Sequence, residues 1–110
     1  MKHFLSILLL LSFCQTSYAT ITTGSELQEM CKSDDQKAQG VCLGTISGIS
    51  ETTQIYQGMG YIPKIYCAKS MSRFELAEVI VSYLDDHPQI LEKQAGVIFL
   101  TAMKEKFPCK

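Results

Sequence analysis

The sequence predicts an all-α protein, a small disulfide-stapled bundle of about four helices, and three observations carry that prediction. Apolar residues recur at helical spacing in the second half of the chain, as Leu76, Ala77, Ile80, Val81 and Leu84, then as Leu91, Ala95, Ile98 and Ala102. Helix-starting patterns, a serine with Gln or Glu three residues on, occur at Ser25 with Gln28 and at Ser72 with Glu75. Cys31, Cys42, Cys67 and Cys109 remain once a leader containing Cys14 is set aside. An even number of cysteines in a short exported chain reads as a disulfide framework.

The leader is residues 1–19. Lys2 and His3 precede an apolar run through Phe4, Leu5, Ile7 and the residues up to Leu11, and the chain then turns small and polar. That is the pattern of a secretory signal peptide, and the small residues Ser17 and Ala19 place the cut after Ala19. A membrane anchor is disfavoured, because the run falls short of the roughly 20 apolar residues that span a bilayer. Residues 20–110 then form one domain, with a core small enough to need covalent help.

Composition narrows the partners. The formal charge is −1 and removal of Lys2 makes the exported part more acidic, so no basic footprint for nucleic acid is present. No second apolar run is long enough to cross a membrane after the leader is cut. The absence of any C-x-x-C pattern argues against a zinc site or a thioredoxin-like centre. Neither a metal nor a cofactor is expected.

Taken in order, the first helix starts at Ser25 and aligns Leu27, Met30 and Cys31 on one face. Residues 32–39 contain Asp34 and Asp35 and read as a solvated loop. From Val41 to Gln57, Cys42, Ile46, Ile49, Thr53 and Tyr56 fall at steps of three and four, which favours helix over strand. Gly44 and Gly48 oppose it at about 1 kcal/mol each, although a turn apart they would leave a bare strip where another helix could come close. Gly58 and Gly60 end the segment, and Met59 to Tyr66, with Pro63, reads as a loop rich in apolar side chains.

The third helix opens at Ser72 and stops near Asp86, because Pro88 disfavours helical geometry in the residue before it. Pro88 is also a favourable first residue for a fourth helix, which runs to about Phe107 and ends before Pro108. Lys104 and Lys106 suit its negative end. So short a hinge as Asp85, Asp86 and His87 sets these two helices antiparallel and brings Cys109 to Cys67. The same reasoning sets Cys31 near Cys42, the favoured arrangement among the three that four cysteines allow.

The residues argue against catalysis. His87 is the one histidine after the leader, and its place before a proline at a helix start suits a capping or surface role. No Ser, His and Asp set can be assembled, Asp85 and Asp86 point in different directions at a helix end, and no glycine-rich phosphate loop follows a strand. No enzyme and no catalytic residue are expected. What remains is a surface: the loop bearing Met59, Tyr61, Ile62 and Tyr66, and the corner Asp85, Asp86 and His87. Aromatic residues and Met are enriched at protein interfaces, while the alternative for the loop is that these side chains close the core.

Several pieces, in this order, resemble the Rap/Tai-type immunity proteins of type VI secretion over most of the mature chain. They are Cys31 after a short helix, the run Val41 to Gly48 opened by Cys42, and Cys67 followed by Ser72. The run Tyr83 to Pro88 comes next, and Phe107, Pro108 and Cys109 close the pattern. The resemblance implies an all-helical periplasmic protein, often a homodimer, that binds a secreted peptidoglycan amidase effector and blocks its active-site cleft with an inserted loop. On that reading Asp85, Asp86 and His87, or else Met59, Tyr61, Ile62 and Tyr66, carry the anchors. The alternative from another class is a periplasmic acid-stress holdase of the HdeA type. Four bridged cysteines disfavour it by restraining the opening such a chaperone needs.

Overall fold

The computed structural model describes residues 22–110; the expected signal peptide, its cut after Ala19 and Cys14 lie outside them. Among the described residues there are four α-helices, α1 (Gly24–Lys32), α2 (Gln36–Gly58), α3 (Arg73–Asp86) and α4 (Ala95–Lys106), with a 3₁₀ turn at Pro88–Ile90 between the last two. The all-α expectation therefore holds, with no strand among the described residues.

Local chemistry sets each start. Ser72 accepts from the Glu75 amide and Glu75 reaches back to the Ser72 amide at 2.6 Å, the reciprocal box the sequence predicts. At α1 the box is instead Thr23 with Glu26, two residues earlier than Ser25 with Gln28. Tertiary bonds decide it: the Gly24 and Ser25 amides donate to the carbonyls of Lys93 and Leu91, each at 2.8 Å, which ties the residues just after Thr23 to the far end of the chain. The loop expected over residues 32–39 shrinks to Ser33, Asp34 and Asp35, because Asp35 accepts from the Ala38 amide at 3.0 Å and caps α2.

The fourth helix begins later than Pro88 predicts. In a continuous helix the Leu91 carbonyl would accept from Ala95 and the Lys93 carbonyl from Val97. Those carbonyls serve Ser25 and Gly24 instead, and the Ala95 amide donates to Thr22 at 2.8 Å. The first turn of α1 thus takes the bonds that would have continued the helix, and the connection from His87 to Gln94 is longer than a three-residue hinge.

The core lies where α1 packs on α2, α3 and α4. Leu27, Ile46, Ile80, Leu84, Ile98, Phe99 and Met103 are all under 2% exposed. On α2 the buried face includes Ser50 and Thr53; the Thr53 hydroxyl donates to the Ile49 carbonyl at 2.7 Å and Ser50 accepts from Gln54 at 2.8 Å, so neither polar group is left unpaired. Gly44 and Gly48 do not admit a neighbouring helix: a Cβ there would meet nothing within 4 Å. The close approach belongs to Gly24, where a Cβ would come within 3.0 Å of the Leu91 carbonyl and 3.2 Å of Leu84.

Two bridges staple this arrangement, Cys31 to Cys42 across the α1–α2 turn and Cys67 to Cys109. The second ties the segment before α3 to the chain just beyond α4, where the Cys67 amide also donates to the Phe107 carbonyl at 2.8 Å.

Candidate functional site

At its C-terminal end α2 closes in a way that builds a projecting knob. The Gly60 amide donates to the Gln57 carbonyl at 3.2 Å and the Tyr61 amide to the Tyr56 carbonyl at 3.0 Å, with Gly60 at φ 74°. This is a Schellman cap, with glycine in the left-handed region where a Cβ is penalised. Its accompanying side-chain contact is Tyr56 against Tyr61, edge to face with centroids 6.0 Å apart. Tyr61 is 69% and Met59 58% exposed, with Ile55 and Tyr56 beside them also open to solvent. Four large apolar side chains thus stand on a main-chain scaffold that fixes their direction.

The rest of that loop turns inward. Ile62 is half-buried. Tyr66, grouped with Met59 and Tyr61 from sequence, packs edge to face on Phe99 at 6.0 Å and is buried, so it belongs to the core. The Gln57 side-chain oxygen accepts from the Ile65 amide at 2.5 Å and from the Tyr66 amide at 3.3 Å, which pins the returning segment to α2.

The second predicted surface, at the end of α3, divides in two. Asp85 accepts from Lys32 at 2.5 Å and from Gln28 at 2.8 Å. The Lys32 ammonium holds its carboxyl below the usual carboxylate range. Its charge is therefore spent on joining α1 to α3. Asp86 beside it is exposed. His87 turns the other way, stacked on the Tyr83 ring at 4.0 Å, with Nδ1 2.8 Å from the Tyr83 carbonyl oxygen. A carbonyl only accepts, so that nitrogen carries the proton. Burial, with Glu105 beside it, pushes the Tyr83 phenol up.

Between these surfaces sequence reasoning missed Phe74. It is 64% exposed on the outer side of α3 and stands over a groove shared with the start of α2. The available signal was an aromatic residue at the edge of the apolar stripe, three residues before Ala77 and seven before Val81. Tyr56 was missed as a surface residue because its spacing matched the buried face of α2. Among the described residues no group of three or more His, Cys, Asp or Glu could hold a metal, and no helix is long and apolar enough to cross a membrane.

Compared with known families, residues 23–109 match the model described as Rap1a immunity proteins. No curated protein matches the chain.

Proposed function

The chain belongs to the Rap1a immunity protein family, and from that premise we propose that it protects its host by binding a peptidoglycan amidase delivered by type VI secretion and occluding the amidase's active-site cleft. The partner class, a secreted effector, follows from the family. The amidase and the cleft are our reading. We further propose that residues 1–19 export the protein, that residues 20–110 act as one domain in the periplasm, and that two copies can associate there.

The observation that carries the reading is the knob of Tyr56, Met59 and Tyr61. Rigid aromatic side chains that are already ordered lose little freedom on binding, and such anchors dominate interface energies. A convex, apolar projection suits a cleft. Asp86 and His87 supply polar contacts at most, since Asp85 is already held by Lys32. An inhibitor of this kind acts by shape and needs no catalytic group, in keeping with a non-enzymatic protein.

The test is peptidoglycan hydrolysis by a type VI amidase effector, measured with increasing amounts of this protein. Tyr61→Ala together with Met59→Ala is expected to weaken inhibition by about thirtyfold or more, the effect of losing a hot spot. Asp86→Ala with His87→Ala should weaken it less. Full inhibition by the first variant sinks the assignment.

A further inference from the structure

A groove of about 530 Å³ lies between the start of α2 and the outer side of α3. Its floor is apolar, formed by Leu43, Ala77 and Val81, with the exposed Phe74 at its edge. Its rim carries Glu78, Asp85 and Asp86 and no lysine or arginine. Lys32 neutralises Asp85, whereas Glu78 and Asp86 form no ion pair among the described residues. An exposed aromatic ring above an apolar floor favours a covering apolar group, and two unpaired carboxylates beside it select what may flank that group.

We infer that this groove receives a segment of a protein partner carrying one large apolar side chain flanked by lysine or arginine. The aliphatic stems of such residues lie along the apolar walls while their charged heads reach Glu78 and Asp86, and a cation can also sit over the face of Phe74. An acidic segment is rejected by like charge. The complementarity is local: a second groove of about 540 Å³, under residues 64–71, is lined by Lys64 and Lys69 and no carboxylate, so a cationic segment is favoured in the first groove over that one. The inference rests on the reading of the chain as a binder of a secreted protein, and it specifies the chemistry of that partner's second contact.

The test uses the disulfide-bonded exported protein, labelled with ¹⁵N, and an acetylated, amidated pentapeptide Lys-Lys-Phe-Lys-Lys as probe. Saturable shifts are expected at Leu43, Phe74, Val81 and Asp86. Affinity should fall at least about tenfold for Glu-Glu-Phe-Glu-Glu, and likewise for Lys-Lys-Phe-Lys-Lys with the protein carrying Glu78→Lys and Asp86→Lys. Because both positions are exposed, that variant should keep its circular dichroism spectrum. Phe74→Ser, also at an exposed position, gives a second variant in which binding of the basic probe should be lost. No saturable shift, equal binding of the two peptides, or shifts centred elsewhere would overturn the inference. So would groove resonances that move on dilution of the protein alone, which would assign the groove to a second copy. No amidase is present in this titration, so its outcome is separate from that of the inhibition assay.

Discussion

Tyr61 meets Tyr56 edge to face across the end of α2, 6.0 Å between centroids, because Gly60 between them turns the chain through a positive φ. The side-chain contact and the left-handed glycine are one device. Gly60→Ala should cost about 1–2 kcal/mol by forcing a Cβ into that region. On the proposed function, the same change is expected to reduce inhibition of the amidase beyond what the stability loss explains, by moving Tyr61. A thermal melt paired with the inhibition assay measures both, and a variant with unchanged stability would show that the cap does not hold the knob.

Two glycines should respond in opposite directions. Gly24→Ala places a methyl group against Ile98, Leu84 and the Leu91 carbonyl, and overpacking of this sort costs about 1–3 kcal/mol. Gly48→Ala adds its methyl in open space inside a helix and should stabilise by up to about 1 kcal/mol. Urea midpoints at unchanged slope would report these values.

The two bridges should differ in lability. Cys67 and Cys109 are exposed, whereas Cys42 is buried at 3%. Limited dithiothreitol followed by alkylation and mass mapping should therefore label Cys67 and Cys109 before Cys31 and Cys42. In the chain-entropy model, loops of 11 and 42 residues correspond to about 3 and about 4 kcal/mol. Cys67→Ser with Cys109→Ser should then lower stability at least as much as the corresponding change at the other bridge.

Acid and alkali should act through different residues. Hydrogen bonds from the Ser72 backbone and side chain hold the Glu75 carboxyl below 4.5, and Lys32 holds Asp85 below 3.8. Depressed values mean that the fold prefers the ionised forms. Their stabilisation is present at neutral pH and is lost as pH falls through those ordinary values toward the lowered ones. The Tyr83 phenol is raised above 10.0, so its contribution is fully present below that pH and disappears as pH climbs through the raised value. Melting temperatures recorded across pH should show the acid limb flattened in Glu75→Gln and the alkaline limb flattened in Tyr83→Phe. Wild-type limbs in either variant would contradict these assignments.

Much of the fold was legible because its signals are local. The apolar stripe of α3 and the Ser72 box need only neighbouring residues, and so did the helical spacing of α2. The misplacements arose where distant backbone groups compete. Nothing near Leu91 or Lys93 indicates that their carbonyls bond Ser25 and Gly24, yet that pairing delays α4 and moves the start of α1. At the candidate site the loop residues were recognisable as a class, but the division between Tyr61 outside and Tyr66 inside depends on Phe99, far away in sequence. The groove under Phe74 joins two helices and has no single-segment signature.

The cap beneath the knob is made of amide-to-carbonyl bonds, one glycine and the contact of Tyr56 with Tyr61, while the side chains at 55 and 59 stand more than half exposed. Substitutions at 55 and 59, and at 56 and 61 where an aromatic pair is kept, can accumulate at little folding cost so long as Gly60 is retained. Lineages facing different toxins could therefore diversify their recognition there rapidly while the rest of the molecule stands still, and grafting those positions between relatives should transfer the choice of opponent.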